Sequence, residues 1–297
     1  MIVHRPSTVT SMFWRHATGI LSLDTPRIVG ILNVTPDSFS EGAALAPRTL
    51  DDVRRRAEGL VVDGADVIDI GGESTRPHAE PVDVDEELRR VVPAIRVTLE
   101  AVPGVPVSVD TVKARVAAEA LAAGASIVND VSGFRLDAEM PRVCASSGAG
   151  VVLMHSRGDV ADMATFVHAA YGDDPVGEVI TELRACVDRA TRAGVERERI
   201  VLDPGIGFSK RGAQSVAMVA QLERFSALGF PMLVGVSRKR FIGEITGVGT
   251  PSERVAGTIG ANVVALQRGA RLFRVHDVQP ARHALDVAWA IMQSGTT

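Results

Sequence analysis

A single α/β domain, built as a (β/α)8 barrel behind a short N-terminal extension, is the fold predicted by the sequence. Three observations predict it. Short β-branched runs alternate with longer amphipathic stretches along the chain, there are eight such runs, and nearly every run ends in a polar residue. Strict alternation implies parallel pairing with right-handed crossovers. Eight units favour closure into a barrel, with a doubly wound open sheet as the alternative. The polar strand ends tip the balance, because a barrel gathers residues from all its strand ends at one mouth.

The strand-like runs fall at 28–33, 66–71, 105–110, 126–130, 150–155, 199–203, 232–237 and 271–276. Helix-like stretches between them include 50–62, 85–102, 112–122, 176–193, 216–228, 253–268 and 280–292. Four junctions share a Gly-Ala pair: Gly64 with Ala65, Gly124 with Ala125, Gly148 with Ala149, and Gly269 with Ala270. Glycine there suits the left-handed residue that ends a helix, and alanine leaves room for close packing. Residues 1–26 read as a leader strand or arm and 27–297 as the barrel; the first stretch has no apolar signal core.

With 297 residues, 46% hydrophobic and 23% charged, the chain has ordinary globular composition and ample length for one large core. The net charge of −4 provides no basic field, so neither nucleic acid nor an anionic membrane is expected as a partner. No apolar run is long enough for a transmembrane helix. Cys144 and Cys186 form no CxxC pair and read as buried thiols of a cytoplasmic protein.

The polar strand ends are Asn33, Asp69, Asp110, Asn129, His155, Asp203, Ser237 with Lys239, and Arg274 with His276. Any one of them alone fits a helix cap or turn. Their recurrence at all eight ends points to function. Side chains at i and i+2 of a strand share a face, so Ser108 with Asp110, Ser237 with Lys239, and Arg274 with His276 would each present two groups together. Two sets emerge. Asp110, Asn129, Asp203 and Lys239 mix donors and acceptors as a flat heterocycle edge requires. Asn33, Arg274 and His276 suit a diphosphate with Mg2+, the amide oxygen serving the metal and the guanidinium the phosphate. The bland alternatives are an Asp–Lys pair that links strands and an Arg274–His276 pair that caps Asp277.

Several strings match a known family. Residues Gly30 to Ser40 read Gly-Ile-Leu-Asn-Val-Thr-Pro-Asp-Ser-Phe-Ser, and Asp69 to Pro77 read Asp-Ile-Gly-Gly-Glu-Ser-Thr-Arg-Pro. Both resemble signature loops of the dihydropteroate synthases, a pterin-binding TIM-barrel family. The match continues through Ser108–Thr111, Asn129–Asp130, Asp203–Phe208, Gly235–Gly243 and Arg274–Asp277, and covers nearly the whole chain from about residue 28.

The resemblance implies a homodimeric, Mg2+-requiring transferase of folate biosynthesis. The family condenses 6-hydroxymethyl-7,8-dihydropterin diphosphate with 4-aminobenzoate, and sulfonamides compete with the latter. By resemblance, Asp110, Asn129, Asp203 and Lys239 would hold the pterin, with Met154, Phe208 and Gly235 shaping its slot. Asn33 would meet Mg2+, and Arg274 with His276 the diphosphate. Phe39, Thr75, Arg76, Pro77, Ser237 and Arg238 would surround the aminobenzoate. Asn33, Lys239, Arg274 and His276 would therefore carry the catalysis. The loops spanning 33–39 and 72–77 are expected to close and exclude water.

Some positions depart from the family pattern. Glu41, Gly42 and Ala43 stand where Asp-Gly-Gly is common, His78 and Ser209 replace frequent glycines, and Ser156-Arg157-Gly158 follows His155. Arg211 and Ser215 also replace a usual Thr and Asn. Two other classes share features with this reading: a pterin-dependent methyltransferase on the same barrel, and a non-catalytic pterin-binding relative.

Overall fold

The computed structural model describes residues 12–35, 49–74 and 81–294. Its order begins with β1 (Phe13–His16) and β2 (Gly19–Ser22), an antiparallel hairpin. The barrel strands follow as β3 (Arg27–Asn33), β4 (Val67–Gly71), β5 (Val107–Asp110), β6 (Ile127–Asp130), β7 (Gly150–Met154), β8 (Ile200–Asp203), β9 (Leu233–Val234) and β10 (Leu272–Val275). The helices are α1 (Leu50–Val62), α2 (Val84–Ala101), α3 (Ala114–Ala122), α4 (Met140–Ser147), α5 (Pro175–Arg192), α6 (Gly212–Ala220), α7 (Arg240–Thr246), α8 (Val255–Gln267) and α9 (Val278–Ser294).

The eight parallel strands pair in the order β8-β7-β6-β5-β4-β3-β10-β9. A parallel bridge between Leu202 and Met232 then joins the two ends, closing the sheet as a barrel. The open-sheet alternative is thereby excluded. Each strand alternates its faces. Ile28, Ile68, Val107, Val128, Val151 and Leu202 join the large core under the helices. Val29, Val67, Ile127, Val152, Val201 and Leu272 form a separate apolar layer inside the barrel.

All four Gly-Ala junctions behave as their residue types require. Gly64, Gly124, Gly148 and Gly269 have φ of 104°, 109°, 65° and 100°, left-handed values that disfavour any Cβ. Their alanines are buried.

Three stretches differ from expectation. The arm carries the β1–β2 hairpin, which covers the N-terminal mouth: Trp14 and Leu23 are buried in the inner apolar layer, and the Trp14 indole N–H donates to the Arg199 carbonyl at 2.8 Å. The run at 232–237 yields only the two-residue β9, and the chain turns at Ser237 and Arg238, where Arg238 takes a φ of 60°. The stretch at 216–228 divides into α6 and a 3-10 segment, Leu222–Leu228. Cys144 and Cys186 are buried free thiols, as expected. No described helix is long and apolar enough to cross a membrane.

Candidate active site

The strand register brings the polar ends level. Asn33 pairs with Gly71, Gly71 with Asp110, and Asp110 with Asn129, so four neighbouring strands finish at one height. Asp203 pairs with Met154 across β7 and β8. Gly235 lies across the barrel, where a Cβ would meet Asp203 Oδ2 at 3.8 Å, Arg274 Cβ at 3.9 Å and Lys239 Nζ at 4.0 Å. A side chain there would fill the space over which those three groups converge.

Arg274 ties the carboxylates together. Its Nε donates to Asp69 Oδ2 at 2.7 Å and its Nη2 to Asp110 Oδ2 at 2.7 Å. Asn129 Nδ2 donates to the same Asp69 oxygen at 3.1 Å. Asp203 accepts from the Gly205 backbone N–H at 2.7 Å, which sets the turn of the loop above β8. The Lys239 ammonium donates to the Ile206 carbonyl and lies 4.6 Å from the centre of the Phe208 ring. Gly207 is obligatory beneath it: φ is 82°, and a Cβ would stand 2.9 Å from Lys239 Cδ.

Burial tunes these groups. It raises Asp110 to about 7, against the pull of Arg274 and with help from the charge of Asp69. It raises Asp203 above the usual carboxylate range, opposed chiefly by Lys239. It lowers Lys239 to about 8, opposed by Asp203. Burial disfavours charge on Arg274 too, but Asp69 and Asp110 outweigh it and hold the guanidinium ionised.

An apolar wall stands beside this polar floor. Val112, Val131, Met154 and Met163 are buried together, with Phe208 packed against them. Met163 comes from the loop after β7, and Ser209 N–H donates to its carbonyl at 2.7 Å. Ser209 holds a φ of 48°, which explains why glycine is comfortable there, and its hydroxyl donates to the Arg157 carbonyl at 2.8 Å. Two of the departures noted in the sequence therefore touch one another.

With this polar floor and apolar wall in place, a family model described as pterin binding enzyme matches residues 29–276. The chain belongs to this family. The dihydropteroate synthase of Bacillus subtilis is 44% identical over 269 residues, 90% of this chain and 89% of that one. The dihydropteroate synthase of Xanthomonas albilineans solved with 4-aminobenzoic acid has a TM-score of 0.85 at 44% identity, covering 95% of this chain and 99% of that one. The same bacterium's enzyme in complex with 7,8-dihydropteroate has a TM-score of 0.79 at 43% identity, with coverage of 92% and 96%.

Against that background, the expected pterin set of Asp110, Asn129, Asp203 and Lys239 shares one mouth with Met154, Phe208 and Gly235. Side-chain contacts refine the pairings expected from spacing. Arg274 spans Asp69 and Asp110, so the two polar sets are joined. Asp277 instead holds Arg238 through two bonds of 2.9 and 2.6 Å, turning that guanidinium to the rim. Ser237 and Lys239 lie beyond β9, where strand alternation no longer applies: Ser237 Oγ accepts the His276 N–H at 3.2 Å, while Lys239 reaches across to Ile206.

His155, counted among the strand ends, is locked in the framework. Its Nε2 lies 2.9 Å from Glu182 and its Nδ1 accepts from the buried Lys210 ammonium at 2.8 Å. Burial lowers His155 to about 4, so it stays neutral. Lys210 also donates to the carbonyls of Gly205 and Phe208, at 3.0 and 3.1 Å, bracing the loop over the mouth. Neither Lys210 nor Met163 was legible as a site neighbour, since both act through loop packing without periodicity. Phe39, Thr75, Arg76 and Pro77 lie outside the described residues.

Proposed function

We propose that this chain condenses 6-hydroxymethyl-7,8-dihydropterin diphosphate with 4-aminobenzoate to form 7,8-dihydropteroate and diphosphate, the transferase step for which its relatives are named. One observation carries the reading: a donor–acceptor floor (Asp110, Asn129, Asp203, Lys239) and an apolar wall (Met154, Phe208) face the same mouth as Arg274.

A carboxylate accepts two parallel bonds from a ring N–H and its exocyclic amine, and the Lys239 ammonium meets a carbonyl oxygen. A wrong heterocycle leaves these buried groups unpaired at ~1–3 kcal/mol each. The reaction displaces diphosphate from a methylene on an electron-rich ring, through a cationic methylene. With Asp110 and Asp203 ionised, the carboxylates of the mouth outnumber Arg274 and Lys239, which favours positive charge on the bound ring. Arg274 and His276 serve the departing diphosphate. The protein otherwise positions the two reactants and excludes water.

Asn33 suits the expected Mg2+. Its amide oxygen Oδ1 lies over Gly71, 3.3 Å from where a Cβ would stand, and so faces the same mouth as Asp110. Among the described residues no cluster of three His, Cys, Asp or Glu forms a closed metal cage. A single hard oxygen matches an ion that takes its remaining ligands from water and substrate phosphates. Bound there, Mg2+ would neutralise charge building on the diphosphate.

The protein is further proposed to be a cytoplasmic homodimer. Ile245, Val264, Val287 and Ile291 are exposed on α7, α8 and α9, which pack side by side, and supply apolar surface for a second copy. Diphosphate release, measured with both substrates and Mg2+ and again without 4-aminobenzoate, tests the reaction. Release that requires the amine supports it. Pterin binding without release would identify a non-catalytic relative, and methyl transfer to a corrinoid a methyltransferase.

A further inference from the structure

Asp66 and Asp130, two carboxylates that brace this barrel, use both oxygens. Asp66 accepts from Arg27 with Oδ1 and from the Ile28 N–H and Arg282 with Oδ2. Asp130 accepts from the Ser132 N–H and hydroxyl with Oδ1 and from the Phe134 N–H with Oδ2. Asp69 is different. It is fully buried, its Oδ1 accepts no bond from any described residue, and its Oδ2 takes both the Asn129 amide and the Arg274 guanidinium. A buried acceptor left empty is costly; Glu87, paired with Lys113, also keeps one oxygen unbonded, so what distinguishes Asp69 is that its bonded oxygen holds two residues of the site at once.

The chemistry of the pair decides what Asp69 does. An ionised carboxylate only accepts, so the Asn129 amide must turn its NH2 toward Asp69 and its oxygen away. The same Oδ2 fixes the Nε edge of Arg274, leaving Nη2 to reach Asp110. We propose that Asp69 is the positioning residue of this site: it sets Asn129 to read the heterocycle as an acceptor and holds Arg274 in register for the diphosphate. The inference rests on the reaction proposed above and adds to it a residue that makes both halves of the pterin diphosphate pocket one unit.

Asp69→Asn is the decisive variant. It keeps the volume but both donates and accepts, so the Asn129 amide is no longer held in one orientation. The expected result is a fall of roughly 10- to 100-fold in kcat/KM for the pterin diphosphate, the range for lost supporting bonds, with KM for 4-aminobenzoate unchanged. Adding Asn129→Ala to Asp69→Asn should cost little beyond the worse single change, because both act through one amide. Should Asp69→Ala be made as well and fail to fold, the Asn variant still carries the test.

Wild-type constants in Asp69→Asn, or a loss confined to thermal stability, would overturn the role. So would an equal rise of both KM values, which marks general distortion. Absence of turnover in the wild-type protein would overturn the reaction and this role with it, whereas a defect of Asp69→Asn alone cannot arise from that cause.

Discussion

Inside one barrel, the same inward-facing alternation produces two opposite environments. Near the strand starts it presents Val29, Val67, Ile127, Val152, Val201 and Leu272, roofed by Trp14 and Leu23 of the hairpin. Near the strand ends it presents Asn33, Asp110, Asn129, Asp203 and Arg274. The lower half removes apolar surface from water and holds the strands together. The upper half buries charge at a cost that its own ion pairs offset only in part, leaving Asp69 Oδ1 unbonded among the described residues. Stability and chemistry therefore occupy opposite ends of one lumen, and substitutions at the two ends should fail in different assays.

The largest effect should come from the lower end. Trp14→Ala removes a buried indole and its bond to Arg199, and should destabilise the fold by ~3–5 kcal/mol, read by denaturant unfolding. Activity per folded molecule should stay near wild type; a large fall in kcat would break the division between the two ends.

At the upper end, Asp203→Ala should cost about 100-fold or more in kcat/KM, with unfolding little changed. Intact turnover would remove Asp203 as the pterin anchor. Lys239→Ala should act more narrowly, raising KM for the pterin diphosphate by roughly 10-fold or more, each 10-fold being about 1.4 kcal/mol. Initial rates at varied pterin diphosphate, with 4-aminobenzoate saturating, would show it.

A pH profile sharpens the comparison further. Asp110 titrates near 7 and Lys239 near 8, both moved by burial. The reading requires Asp110 ionised and Lys239 protonated, so kcat/KM should fall below about 7 and above about 8. Asp110→Asn should abolish the acid limb.

The smallest effect is on stability. The folded-state pKa of Asp110 lies above its unfolded value, so the folded protein favours the protonated acid. That contribution is complete below the unfolded value of 3.8 and is lost as pH rises through about 7. Asp110→Asn should therefore melt a few degrees higher than wild type at pH 8, with no gain at pH 4. A lower melting temperature at pH 8 would show that Asp110 supports the fold instead of straining it.

Much of the upper end was legible because strand alternation reports direction. Asp110, Asn129 and Asp203 sit at the ends of β5, β6 and β8, where i and i+2 positions point the same way. Direction ceased to be legible where regular structure stops. Ser237, Arg238 and Lys239 follow a two-residue strand, and a residue at φ 60° sends their side chains to His276, Asp277 and Ile206. Asp69 was visible as a strand-end carboxylate, yet its joint hold on Asn129 and Arg274 spans 60 and 205 residues of sequence, beyond any local pattern.

From residue order alone came the number of barrel strands, the parallel barrel, the glycine junctions and the inward set of polar ends. These follow from local rules: a two-residue strand period, a helical period between, and backbone angles that only glycine takes easily. Closure through Leu202 and Met232, the hairpin lodged under the barrel, and the guanidinium strung between two carboxylates required the folded chain. Each is set by which distant side chains come within about 3 Å, a range over which hydrogen bonding acts and sequence spacing carries no information.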